Sequence, residues 1–188
     1  MVPLLAEIDA QPGAWLHDTS RQDKISVQRN TNTIFLRGPV RRPDLSTNEN
    51  QVSSPTGLAP YFPRALGLMA DVARQLNAEL SRATIVRLAP HSKVHRHIDA
   101  GSYYLIRDRY HLVLRSSRGS LLASGDERVV MQPGELWWFD NKQHHWAENQ
   151  SDDWRIHYIF DLLPSAHRPL AKNPLFIPTL PVSVELRP

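Results

Sequence analysis

Apolar residues recur at helical spacing in only one stretch of this chain. In PRALGLMADVARQLNAEL, residues 63–80, the positions Ala65, Leu66, Leu68, Met69, Val72, Ala73, Leu76 and Leu80 fall on one face. Pro63 suits the first turn of a helix, so a helix is predicted over 63–80. Elsewhere the apolar residues come in short runs rich in Val, Ile, Leu and aromatics, bounded by Gly, Pro, Asp, Asn or Ser. Such runs predict strands at 24–36, 83–88, 111–115, 120–123, 128–131, 135–139 and 154–160. Many short strands with one flanking helix predict a mainly β fold, a sandwich or jelly roll. The polar, turn-rich segment 41–61 reads as a surface loop, long enough to act as a lid. From Pro164 onward, prolines at 164, 169, 174, 178 and 181 predict an extended tail over 164–188.

Composition narrows the picture. At 188 residues the chain is expected to form a single domain, 1–188, with its core at about 24–163. It contains no cysteine, which excludes disulfides, thiolate-bound metals and a thiol nucleophile. Any metal must therefore be held by His, Asp or Glu. The net charge of +3 comes without a Lys/Arg run, so no nucleic-acid partner is expected. The opening MVPLLAEIDAQPGAW has no basic leader region, and no apolar run is long enough to span a membrane. A cytoplasmic protein with no membrane partner is expected; its oligomeric state is left open.

The histidines are unevenly placed. Only His17 lies in the first 90 residues, and eight follow from His91 onward. In extended chain, residues two apart share a face, so His97 and Asp99 can grip one ion. A third ligand would come from a later strand, with His145 the best candidate and its neighbour His144 the competitor. Two His and one carboxylate make the facial triad of non-heme Fe(II) oxygenases, which leaves coordination positions open. Arg155 lies in the strand-like run WRIHYIF. A buried Arg requires an anion, and in such an oxygenase that anion would be the distal carboxylate of 2-oxoglutarate.

These stretches together resemble the aspartyl/asparaginyl β-hydroxylase family. The resemblance rests on LAPHSKVHRHID (88–99), RDRYHLVL (107–114), PGELWWFDNKQHHWAEN (133–149) and RIHYIFD (155–161). It covers about residues 82–163 and extends weakly back to about residue 24. It implies a double-stranded β-helix, cupin-like in form, that uses Fe(II), 2-oxoglutarate and O2 to hydroxylate an unactivated C–H, with release of succinate and CO2. It implies that His97, Asp99 and His145 are the metal ligands, His145 standing six residues after Phe139 as in the family. It implies that Arg155 and His111 bind 2-oxoglutarate, and that Arg109, with Arg107 second, anchors an acidic group of the substrate. That substrate would be an amino acid, an amino-acid derivative or a peptide side chain. The presence of Asp99 argues for hydroxylation, because halogenating relatives replace this carboxylate with a small residue.

Several residues have competing readings. Arg107 and Arg87 read equally as surface charges, Tyr103 and Tyr104 as loop packing, and Trp137, Trp138 and Phe139 as core. The main alternative for the whole chain is a metal-binding cupin, an isomerase or sensor that does not use 2-oxoglutarate. His95-Arg96-His97 has the cupin H-x-H form, but Gly101 and Ser102 stand where the cupin Glu is expected. A binding domain that has kept the fold without activity is the third reading.

Overall fold

The computed structural model describes residues 2–24, 26–40 and 42–172. Its ten strands are β1 (Thr31–Pro39), β2 (Ser53–Pro55), β3 (Ala78–Leu88), β4 (Ser92–His97), β5 (Asp108–Arg115), β6 (Ser120–Ser124), β7 (Glu127–Val129), β8 (Leu136–Trp138), β9 (His145–Asn149) and β10 (Arg155–Pro164). They form a six-stranded sheet in the order β2-β1-β3-β10-β5-β8 and a four-stranded sheet in the order β4-β9-β6-β7. Every pairing is antiparallel. The architecture is the mainly β jelly roll expected from the sequence.

β10 lies between β3 and β5 in the larger sheet and is buried along most of its length. Its even-numbered residues Ile156, Tyr158, Phe160 and Leu162 enter the main hydrophobic core with Ile34, Leu36, Ile85, Leu112 and Leu114. The odd-numbered residues point to the opposite face. There Arg155, His157 and Ile159 line a cavity, and Asp161 is buried near its edge. One face of the large sheet thus carries the core and the other carries polar groups between the sheets.

The core face is covered by α3 (Pro63–Gln75), through Ala65, Met69 and Ala73, and by the N-terminal helix α1 (Val2–Asp9), through Leu4 and Ile8. Trp15, on a 3-10 turn at Pro12–Leu16, completes the cover. α3 stops five residues short of the predicted end. Asn77 takes a positive φ of 49°, a left-handed conformation Asn tolerates, and β3 begins at the next residue. Leu80 therefore belongs to a strand. The strand expected over 24–36 begins only at Thr31. Before it come α2 (Ser20–Lys24) and a 3-10 turn at Ser26–Gln28, closed by the Thr31 hydroxyl donating to the Gln28 carbonyl at 2.7 Å. Beyond Pro164, residues 165–172 form a 3-10 turn and a short helix (Arg168–Lys172) instead of extended chain. Residues 173–188, where the rest of the predicted tail falls, lie outside the described residues. No helix among the described residues is long and apolar enough to cross a membrane.

Asn149, fully buried at the end of β9, ties the two sheets together beside the cavity. Its amide donates to the carbonyls of Leu88, Ala89 and Asp153 at 3.1, 3.1 and 2.8 Å. Its Oδ1 accepts from the Ser151 hydroxyl and N–H. Asn149→Ala leaves three carbonyls short of a donor and is expected to cost about 3 kcal/mol of unfolding free energy, read from urea denaturation.

Candidate metal centre

His97 ends β4 and His145 begins β9, and the two residues are direct partners across the pair. Their rings lie 4.3 Å apart between centroids. A register irregularity between Val94 and His97 brings His97 into line. Asp99 follows β4, and its N–H donates to the Asn141 carbonyl at 3.0 Å. Its two carboxylate oxygens stand 4.0 Å from His97 Nε2 and from His145 Nε2. The ligand atoms of the three residues all lie within 4.8 Å of one another.

The surroundings prepare each group to ligate. His97 Nδ1 lies 2.7 Å from the His95 carbonyl, and His145 Nδ1 lies 2.9 Å from the Gln143 carbonyl. A carbonyl only accepts, so Nδ1 carries the proton in both rings and the Nε2 lone pair is free. Burial would push the Asp99 carboxyl up, but the Arg109 guanidinium, His145 and the Asn141 amide more than reverse this and hold it at about 2. Burial lowers the His145 pKa against the pull of Asp99, which favours the neutral ring. An ionised carboxylate and two imidazoles with free Nε2 atoms fit a divalent metal, and this donor set is the one non-heme Fe(II) uses.

Position explains why His144 stands outside this cluster. It precedes the strand and is exposed, whereas His145 points inward. His95 is also exposed, and its carbonyl, not its ring, serves the site. The H-x-H pair of the cupin reading is therefore not assembled.

The triad opens onto a cavity lined by Arg155, His111 and His157, and closed on other sides by Val86, Leu88 and Leu122. Arg155 is buried, its Nη2 has no partner, and no carboxylate pairs with it among the described residues. Burial alone lowers its pKa to about 10. His111 and His157 are held well below the ordinary histidine range, first by burial and then by Arg155 beside them. His111 Nδ1 and both ring nitrogens of His157 lack hydrogen bonds. A buried cation and neutral, unpartnered imidazoles facing one cavity are chemically suited to a small anionic ligand.

The two arginines expected at the substrate stand differently. All three nitrogens of Arg109 are engaged: Nη1 donates to Asp99 at 2.6 Å, and Nε and Nη2 donate to Asp161 at 2.8 and 3.0 Å. Burial works against its charge, but Asp161 and Asp99 raise its pKa well above the ordinary value. Arg109 borders the cavity and holds Asp99 in the cluster, with its fork already filled by two internal carboxylates. Arg107 does not line the cavity. It is buried against the Tyr103 ring at 4.2 Å and donates to Ser81 Oγ and the Tyr103 carbonyl, both at 3.0 Å. Residues two apart on a strand would share a face, but Arg107 precedes β5 and escapes that alternation.

Other expectations resolve in the same way. Tyr103 is wholly buried, its hydroxyl donating to Asp161 at 3.1 Å and accepting the Arg82 N–H at 3.0 Å. Phe139 packs against the rings of His111 and His145, whereas Trp138 is half exposed on the edge strand. Arg87 is no simple surface charge, because it stacks between Trp15 and Trp154. Among residues 42–61 none lines the cavity. That loop is pinned behind the Asp99 turn: the Asn48 carbonyl accepts the Tyr103 N–H at 3.1 Å, and the Asn50 N–H donates to Ser102 Oγ at 2.8 Å. Gly101 lets it dock, since its φ is 113° and a Cβ there would strike the Asn48 carbonyl.

Four residues of the site escaped the sequence reading: Asn141, His157, Asp161 and Arg21. The alternation set by Arg155 on β10 would have found His157 and Asp161. Asn141 and Arg21 carry no comparable local signal.

The structure is thus a jelly roll of double-stranded β-helix form with a His-His-Asp cluster, able to hold a metal, set between its two sheets. The sequence profile of the aspartyl/asparaginyl β-hydroxylase family matches residues 44–164, well over half of the chain, and the chain belongs to that family. Among solved structures it is similar to an oxidoreductase of the 2OG-Fe(II) oxygenase family from Burkholderia pseudomallei. The identity is 15%, the TM-score 0.53, and the match covers 71% of this chain and 66% of that one, just under two thirds of its length. A predicted oxalate decarboxylase from Thermotoga maritima matches half of this chain and 73% of its own, at 16% identity and a TM-score of 0.37. The likeness to the Burkholderia structure bears on the fold alone. No curated protein sequence matches the chain.

Proposed function

We propose that the protein is an Fe(II)- and 2-oxoglutarate-dependent hydroxylase acting on an amino acid, an amino-acid derivative or a peptide side chain. The observation that carries this reading is Arg155, a buried guanidinium without a carboxylate partner, facing the same cavity as the triad. A metal site alone would need no such cation. A cosubstrate that chelates the metal at one end and ends in a carboxylate at the other would need it.

His97, Asp99 and His145 would hold Fe(II), and Arg155 would take the distal carboxylate of 2-oxoglutarate. When bound, the metal with 2-oxoglutarate and O2 supplies the oxidant that replaces a C–H hydrogen by hydroxyl, giving succinate and CO2. Arg109 fixes the Asp99 carboxylate, and Asp161 in turn fixes Arg109. His111 and His157, neutral beside Arg155, would contact the cosubstrate without adding charge. Val86, Leu88 and Leu122 exclude water around it.

Anaerobic absorbance spectroscopy tests the reading. Addition of Fe(II) and 2-oxoglutarate together is expected to give a weak visible charge-transfer band that neither gives alone. The band is expected to vanish in His145→Ala. Metal binding without such a band would overturn the 2-oxoglutarate assignment.

A further inference from the structure

The family profile begins at residue 44, and every residue assigned above to metal or cosubstrate lies within the span it matches. One wall of the cavity does not. Arg21, Gln28 and Thr31 come from the N-terminal segment. α2 packs against the 3-10 turn at Ser26–Gln28, and that turn packs against β4, the strand that carries His97. The Asp18 carboxylate accepts the Ser20 N–H at 2.9 Å and so starts the short helix one residue ahead of Arg21. The N-terminal segment thereby delivers one long cationic side chain to the cavity beside the triad.

Arg21 makes no hydrogen bond or ion pair with any described residue. The two nearby carboxylates are taken. Asp161 is held by Arg109 and Tyr103, and Asp99 by Arg109 and Asn141. The surroundings of Arg21 also differ from those of Arg155. Burial lowers its pKa, and Tyr104, Arg109, Asp99 and Asp161 are the charged or titratable groups acting on it. Arg155 acts instead on His111 and His157. The cavity thus has two cationic ends, one at the histidine pair and one at the corner of Tyr104 and Asp99.

The charge balance indicates what the second end is for. Three guanidiniums, Arg21, Arg109 and Arg155, face two carboxylates, Asp99 and Asp161, leaving one positive charge in excess. A divalent metal and the dianionic cosubstrate cancel each other and leave that excess in place. One further carboxylate would neutralise the site, and a guanidinium fork matches a carboxylate in shape. With Arg109 filled, Arg107 turned away and Arg155 assigned to 2-oxoglutarate, Arg21 is the remaining cation lining the cavity among the described residues.

We propose that Arg21 anchors the substrate, and that the substrate presents a single carboxylate to it. This rests on the preceding reading, in which Arg155 is taken by 2-oxoglutarate. The target carbon would then lie between that carboxylate and the metal, and the N-terminal segment would set substrate choice while the matched segment carries the chemistry.

The test uses full-length protein loaded anaerobically with Fe(II) and 2-oxoglutarate, so that no turnover occurs. The probes are the common L-amino acids and their C-terminal amides, titrated against the charge-transfer band. At least one acid is expected to shift the band, with its amide binding more weakly. Arg21→Leu is expected to weaken binding of that acid by about 10–100-fold, and Arg21→Lys to restore part of it. Band formation with Fe(II) and 2-oxoglutarate alone should be unchanged in both variants, which shows that they are folded and loaded. Equal binding of acid and amide, full binding by Arg21→Leu, or no shift with any acid would overturn the assignment. A wild-type protein that forms no band before any probe is added would instead overturn the oxygenase reading, and this assignment with it.

Discussion

His97→Ala is expected to lower Fe(II) affinity more than about a hundredfold, exceeding the usual cost of losing a residue that merely orients a ligand. Succinate formation from 2-oxoglutarate should fall to background. The physical case lies in the small number of donors. Three ligand atoms lie within 4.8 Å of one another, and Asp99 is already tied to Arg109 and Asn141, so no neighbour can swing in to replace a lost imidazole. His95 is close in sequence but exposed on the outer side of β4. The fold should survive, because His97 sits at a strand end, partly exposed, and belongs to none of the hydrophobic clusters. Isothermal titration with Fe(II) under argon, beside a thermal melt, separates the two effects. Wild-type metal affinity in this variant would remove His97 from the site.

Arg155→Leu is expected to act in opposite directions on binding and on stability. The dissociation constant for 2-oxoglutarate should rise about a hundredfold, since a bidentate, charge-assisted pair in a buried site is lost. The ligand-free protein should become more stable by about 1–3 kcal/mol, because an unpaired buried charge is replaced by an apolar side chain. The pKa of about 10 carries the same information: burial disfavours the charged guanidinium, and no anion in the described chain compensates. In a chain of this size that stability gain would raise Tm by about 2–4 °C per kcal/mol. Saturating 2-oxoglutarate should then stabilise the wild type and leave the variant unmoved, a contrast that differential scanning calorimetry reads directly. A variant that is destabilised and still binds 2-oxoglutarate would mean that Arg155 serves the fold and not the cosubstrate.

What could be read from the residues alone depended on whether the signal lay in the apolar residues. β10 and β5 were legible because both carry buried runs rich in Ile, Leu, Val and aromatics. β4 and β9 were not among the predicted strands, although His97 and His145 on them were picked out as candidate ligands, His145 on a later strand. Their residues, SKVHRH and HWAEN, are polar because they form the rim of a site, so strand propensity is masked by function. The helix at 63–75 was found and its end missed, since Asn77 breaks it by a backbone angle that no hydrophobic pattern registers. Arg109 was expected to anchor an acidic group of the substrate; it borders the cavity with its fork taken by Asp99 and Asp161. Its two carboxylates stand 10 residues before it and 52 after it, and only the fold brings them together. Arg21 lies in a polar stretch where one more charged residue attracts no notice.

The direct pairing of His97 with His145 has a consequence for how the centre is maintained. The spacing of the two imidazoles is inherited from the distance between neighbouring strands, a fixed property of any sheet. Asp99, just past β4, is held by Asn141 and Arg109, so all three candidate ligands are set by the chain's own contacts. In many small metalloproteins the ion supplies folding free energy and its loss unravels the chain. Here the holder is built from the chain's own pairings, so a metal bound there is expected to exchange without unfolding the chain.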